Sequence, residues 1–363
     1  MKKLFVFAAA LLALASCSQG DEPQAIVETR EISFAPAATQ TRATDVKEYT
    51  IDNLIEKGFA VWGYVTANGT SNWDALFTNT KVVYGAADAF GEGNFNTETD
   101  KVWQPEGGDI KYWAPKSDYI FSAIYPQNAA KYTFGNDKTQ TITGFTIVDG
   151  GLETEDLLVS QVANAELGEG VQKRVAVGLT FDHMLARVHF QFTNTFADEN
   201  VTIEVRNVKL HGAIAKADAT IDAGVATWKN PENTVSLNFQ DEENDVLTIP
   251  AKKSTEADYH SDITKYRLFI PTTIADGGYT LTFDLDVLAD GVTVLTKSYK
   301  VNGTGVEAPI ALKGAEYKNG KSYLFNANIS GDLLKNEIFP IQFDVKVTDW
   351  AGDTTVDDDI FAE

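Results

Sequence analysis

Residues 175–193 read VAVGLTFDHMLARVHFQFT, and the periodicity of this stretch decides the fold. Val175, Val177, Leu179 and Phe181 share one parity; after a break over residues 182–187, Val188, Phe190 and Phe192 repeat the pattern. Alternation of large apolar residues at a period of two is the signature of strands with one face packed on a core. The same reading extends outward. Residues 58–66 (GFAVWGYVT) are apolar on both faces, as in a central strand, and residues 119–125 are similar until Pro126 ends them. Further strands are expected at residues 201–205, 246–249, 266–270, 281–287, 292–299, 322–329 and 341–347, with Asp290-Gly291 as a hairpin turn. Helix is expected only over residues 52–57 and 161–166. Many short strands punctuated by Gly, Pro, Asn and Asp predict an all-β chain of β-sandwich domains, with few short helices. The boundary is expected at Gly168-Glu169-Gly170, just ahead of the alternating run.

The first residues set the compartment. Lys2 and Lys3 precede an apolar run over residues 4–13, too short to span a bilayer as a finished helix, and Leu14-Ala15-Ser16-Cys17 follows. This looks like a bacterial lipobox, in which the thiol of Cys17 is acylated and the cysteine becomes the mature N-terminus. An exported, lipid-anchored protein is expected rather than a cytosolic enzyme. Ser18-Gln19-Gly20-Asp21-Glu22 resembles the acidic signal that sends lipoproteins to the outer face of the outer membrane. Cys17 is the sole cysteine, so no thiol remains for a disulfide, a nucleophile or a thiolate metal site.

Composition narrows the function. With 44% hydrophobic and 11% aromatic residues the chain can build real cores, which argues against global disorder. Losing Lys2 and Lys3 with the leader moves the net charge from −22 to −24, a balance that repels nucleic acid and anionic membranes. No catalytic constellation stands out. His183, His189, His211 and His260 are scattered; His183 beside Asp182 lies at a turn, where packing or capping explains it better than base chemistry. No zinc spacing, nucleotide fingerprint or complete calcium loop is present, so neither metal nor cofactor is expected. Trp73 and Trp103 fall in polar segments and are the candidates for an exposed sugar-stacking surface, against the plainer reading of loop-anchoring aromatics.

Short motifs follow one another in a fixed order: Tyr112-Trp113-Ala114-Pro115, Tyr125-Pro126, Asp156-Leu157-Leu158, the run from Leu179 to Val188, Leu268-Phe269-Ile270-Pro271, and a final strand closing on Thr348-Asp349-Trp350. In that order behind a lipobox the chain resembles the fimbrillin family of Bacteroides-type bacteria, the subunits of type V pili, over nearly its whole length. The resemblance implies two consecutive β-sandwich domains of transthyretin-like topology and no enzymatic activity. It also implies an assembly route: export to the surface, cleavage by an arginine-specific protease, loss of the first strand, and filling of the vacated groove by a strand of another subunit.

The residues are compatible with that route. Ile32-Ser33-Phe34 are β-formers ahead of a small, polar stretch, as a removable strand should be, and Arg42-Ala43 stands among small residues as a cleavable bond. Arg30 is the competing site, but cutting there leaves Ile32, Ser33 and Phe34 in place. The expected division is a leader over 1–16, a tether and removable strand over 17–42, an N-terminal domain over 43–170, and a C-terminal domain with an acidic tail over 171–363. Residues 351–363 carry Asp357-Asp358-Asp359 and make a poor apolar plug, which leaves open whether the donor is the region 338–347 or whether this subunit only receives a strand. The expected partners are other pilus subunits, the maturation protease, outer-membrane lipid through Cys17, and a surface ligand. A non-polymerising surface lipoprotein that binds glycans or host ligands is the alternative.

Overall fold

A computed structural model of the chain describes residues 32–38, 51–86, 101–128, 131–151, 154–167, 176–240, 245–251, 259–302, 307–331 and 341–349. Cys17, Arg42, Ala43, residues 168–170 and residues 351–363 lie outside them. Ten strands come first: β1 Phe34–Ala38, β2 Phe59–Ala67, β3 Asp74–Ala86, β4 Lys101–Pro105, β5 Ser117–Tyr125, β6 Lys131–Phe134, β7 Gln140–Thr146, β8 Leu158–Ser160, β9 Ala163–Leu167 and β10 Val177–His183. The single α-helix among the described residues, α1 (Ile51–Lys57), lies where the sequence predicts one. It stops at Gly58, whose N–H bonds Leu54 O at 2.8 Å with φ at +74°. A Cβ there would lie 2.4 Å from Val82 O, so only glycine fits this cap.

Seven of these strands close into a ring. The pairings run β2–β3–β4–β1–β10–β8–β5, and β5 returns to β2 through residues Ala60↔Ile124 to Ala67↔Ser117; β9 hangs on the far side of β5. Phe34, Phe59, Val61, Phe77, Phe121, Leu179 and Phe181 form one buried cluster inside the ring. The expected boundary at residue 170 had assigned residues 177–183 to the second domain. They instead complete the first sheet, because Val177, Leu179 and Phe181 find their apolar partners there; the Phe59 and Phe181 rings meet at 5.4 Å. Residues 161–166, expected to be helical, belong largely to β9. Pairing with β5 overrides the weak strand propensity of Ala163-Asn164-Ala165-Glu166.

The remaining strands are β11 Ala186–Asn194, β12 Val201–Asp222, β13 Val225–Asn238, β14 Leu247–Ile249, β15 Arg267–Phe269, β16 Thr273–Ile274, β17 Thr280–Ala289, β18 Val292–Tyr299, β19 Ile310–Ala311, β20 Ala315–Glu316, β21 Lys321–Ile329 and β22 Gln342–Asp349. β15, β11, β21 and β22 form one sheet, and β18, β17, β12, β7 and β6 run through the sheet facing it. Alternate residues of each meet in the interior. Phe190 packs edge-on to Phe239 at 4.8 Å and Phe192 to Phe283 at 5.5 Å. Asp290-Gly291 turns β17 into β18 with both residues at positive φ, as the sequence predicts. β12 is the long element that joins the two halves. One end pairs β17, and the other pairs β7 from Lys216↔Thr146 to Ile221↔Gln140. β6 and β7 thereby carry Tyr132, Phe134 and Ile142 onto the outer face of the ring, against Ala60, Trp62, Ile120 and Ile124; Trp62 meets Tyr132 edge-on at 4.8 Å.

Candidate functional site

The arrangement that stands out is β1 within the ring. β1 runs parallel to β10 in a five-residue register from Phe34↔Val177 to Ala38↔Phe181, and meets β4 on its other side at Phe34↔Trp103. Ser33 O accepts from Val177 N at 2.8 Å, and Ile32 N donates to Lys111 O at 2.8 Å. Ile32 and Phe34 are 1% and 3% exposed, Pro36 is buried, and Ser33 and Ala35 alternate with them toward solvent. The Phe34 ring is surrounded by three others, Phe77 at 5.7 Å, Phe121 at 6.0 Å and Phe59 at 6.3 Å, all edge-on. Burial of Ile32 and Phe34 at about 1.5–3 kcal/mol each stabilises the strand by about 3–6 kcal/mol before ordering costs.

The sequence places the strand correctly but ends it early. Ala35 to Ala38 were expected to be a flexible link, yet they belong to β1. The extended φ that proline enforces is compatible with a strand, and Pro36, which has no N–H to give, lies beyond the single pair with β4. The Tyr112–Pro115 motif lies beside the mouth of the slot: Trp113 packs edge-on to Tyr119 at 4.7 Å, and Ala114 N donates to Tyr119 Oη at 2.6 Å.

A family model of fimbrillin-like proteins matches residues 41–350. The chain belongs to the fimbrillin-like family. That match begins after β1. The fold is shared with a fimbrial protein from Bacteroides vulgatus ATCC 8482, at 16% identity and a TM-score of 0.60, over 88% of this chain and 99% of that one. A candidate cell adhesion protein from Bacteroides uniformis ATCC 8492 is also similar, at 16% identity and a TM-score of 0.41, over 88% and 98% of the two chains. Among curated proteins, none matches. This fimbrillin-like chain is all-β, as expected.

The two candidate stacking tryptophans differ in exposure. Trp103 is not exposed: it sits in β4, 6% accessible, with its ring 5.3 Å from Phe59 and 5.1 Å from Tyr84. The polar residues around it suggested a loop, but pairing with β3 and β1 turns its side chain inward. Trp73 is half-buried just before β3 and packs against the main core. Among the described residues no group of three His, Cys, Asp or Glu is placed to hold a metal ion.

One pair escaped the sequence reading. Asp156, from the Asp156-Leu157-Leu158 motif, is fully buried, with Oδ2 2.5 Å from His183 Nδ1 and Oδ1 accepting from Leu157 N at 2.8 Å. His183 O in turn accepts from Asn319 Nδ2 at 2.8 Å, Gly320 N reaches Leu185 O at 2.8 Å, and Trp228 Nε1 donates to Met184 O at 3.1 Å. The break between the two alternating runs is thus the point where the ring is tied to the sandwich.

Proposed function

We propose that this chain is a structural and adhesive subunit of a type V pilus. In this reading it is exported as a lipoprotein on Cys17, cleaved between Arg42 and Ala43 on the outer face of the outer membrane, and polymerised by strand exchange. The observation that carries the reading is the position of β1. It is a complete wall of the ring, its apolar anchors Ile32 and Phe34 point inward, and Arg42 follows its last residue by four positions. Removal of residues up to 42 would leave β4 and β10 with unpaired N–H and C=O groups around an aromatic slot, a strong template for a foreign strand. Cleavage would return the net charge to −22, since residues 18–42 carry four acids and two bases, so solubility between subunits would persist.

The donor is less directly marked. β22 is an edge strand, paired with β21 from Lys321↔Asp349 to Asn328↔Gln342, with Val347 buried. Its release would need that ladder to open, and residues 351–363 are acidic. The experiment uses a soluble form beginning at Ser18, treated with an arginine-specific protease under native conditions. A new N-terminus at Ala43 with a ladder of oligomers on an unboiled denaturing gel is the expected result. The same start without a ladder would indicate a subunit that needs a partner's strand. Resistance at Arg42 would sink the reading and leave a monomeric surface-binding lipoprotein.

A further inference from the structure

On the outer face of the sandwich a cavity of about 370 Å³ opens where β12 breaks step. Asn207 takes a left-handed conformation (φ +58°), and the register with β17 slips between Arg206 and Lys209. The buried parity changes there from Ile203 and Val205 to Val208 and Leu210. A bulge re-aims the side chains beyond it, and this one sets Lys209 directly opposite Thr282, with Asn207 and His211 at either side.

The lining is organised in advance. His211 Nδ1 lies 2.8 Å from Ser236 Oγ and Nε2 2.9 Å from Thr282 Oγ1. Burial, with Lys209 nearby, holds the His211 pKa below the ordinary histidine value, so the ring is neutral at pH 7 and its one donor and one acceptor are taken up by Ser236 and Thr282. Asn207 Nδ2 donates to Asp284 Oδ2 at 2.8 Å, and Lys300 compensates Asp284 at 3.1 Å. Lys209 is exposed and, among the described residues, has no carboxylate partner. The cavity therefore holds one uncompensated positive charge on a chain of net charge −22. Val301, 56% exposed, and the edge of Tyr299 give it an apolar wall.

We propose that this cavity binds the ring of an acidic sugar, a uronic or sialic acid residue. Lys209 receives the carboxylate, Asn207 and Thr282 exchange hydrogen bonds with ring hydroxyls while His211 Nε2 holds the Thr282 hydroxyl in place, and the Val301–Tyr299 wall takes the C–H face. A single free ammonium beside a carboxylate suits a monoanion better than a doubly charged phosphate, and an uncharged sugar would leave Lys209 unused. The site supplies a ligand class for the adhesive role but works without strand exchange.

The test is a calorimetric titration of the uncleaved soluble chain with sodium glucuronate, the methyl glycoside of N-acetylneuraminic acid, and methyl β-galactoside. The expected result is saturable binding of at least one acid, weakened by raised salt and by about tenfold in Lys209→Ala, with the thermal midpoint unchanged. No saturation with either acid, equal binding of the galactoside, or full affinity in Lys209→Ala overturns the proposal. Since the uncleaved monomer is used, any of these outcomes leaves the strand-exchange reading to be judged by its own gel.

Discussion

The ring of Phe34 stands edge-on to that of Phe121, centroids 6.0 Å apart, with Phe34 on a strand that precedes Arg42 and Phe121 on one that follows it. The plug of the ring is thus on the segment that cleavage would take away, and the socket on the part that would remain. Phe34→Ala should destabilise the uncleaved chain by about 3–5 kcal/mol, the usual cost of emptying a buried phenylalanine site. Urea denaturation reads this directly. Once the chain is cut after Arg42 and the slot refilled, the same substitution should have no effect on the oligomer ladder; a weakened ladder would show that β1 stays in the assembled form.

Asp156 and His183 form a buried pair at the tie between ring and sandwich. Removing one partner strands the other, so Asp156→Ala should cost about 3 kcal/mol in urea unfolding. The double substitution Asp156→Leu with His183→Leu should recover much of that loss. A double variant as weak as the single one would show that the pair's role is not its mutual hydrogen bond.

His189, half-buried on β11 with Nε2 3.2 Å from Ser322 Oγ, has its pKa pushed down to about 4, first by burial and then by Arg187. A histidine whose folded pKa is depressed contributes stability that is complete above its unfolded pKa of about 6.5 and declines as pH falls toward the folded value. The chain should therefore lose about 2 kcal/mol between pH 6.5 and 4 from this residue, with His211 adding in the same direction. Thermal midpoints of His189→Asn across that window should fall less steeply than those of the parent.

Asp284 and Asp286 respond at lower pH. Burial opposes their ionisation, but Ser298, Asn207 and Lys300 around Asp284, and Thr296 and Arg206 around Asp286, hold both carboxyls below the usual range. Depressed carboxylates stabilise above the unfolded value of about 3.9 and lose that contribution as pH drops through the folded one. The acid transition should therefore steepen below about pH 4, and Asp284→Asn with Asp286→Asn should flatten it. An unchanged acid limb would mean that these ladders contribute nothing net.

Where one face is apolar and the other polar, the chain announces its own strands. Val177, Leu179, Phe181, Val188, Phe190 and Phe192 are buried where alternation places them, and the Asp290-Gly291 turn follows from local backbone chemistry. What stayed hidden depends on distant partners. β9 is a strand because β5 is beside it; Trp103 is interior because β3 and β1 flank it; β13, with Pro231 in its middle and mostly exposed residues, persists on its pairing with β12. The slot was legible in outline, since Ile32 and Phe34 alternate. Its lining was not, because Phe59, Phe77 and Phe121 come from three strands that only the closure of the sheet brings together.

That closure has a consequence for architecture on a larger scale. A closed sheet has no ends, and lifting one strand from it makes a single gap with two walls, β4 and β10. Such a gap accepts one strand and is sealed by it. Under the proposed strand exchange, a subunit built this way would have a valence of one as acceptor, so growth through the gap would run head to tail along a line, would neither branch nor spread sideways, and would end at any subunit that still keeps its own β1.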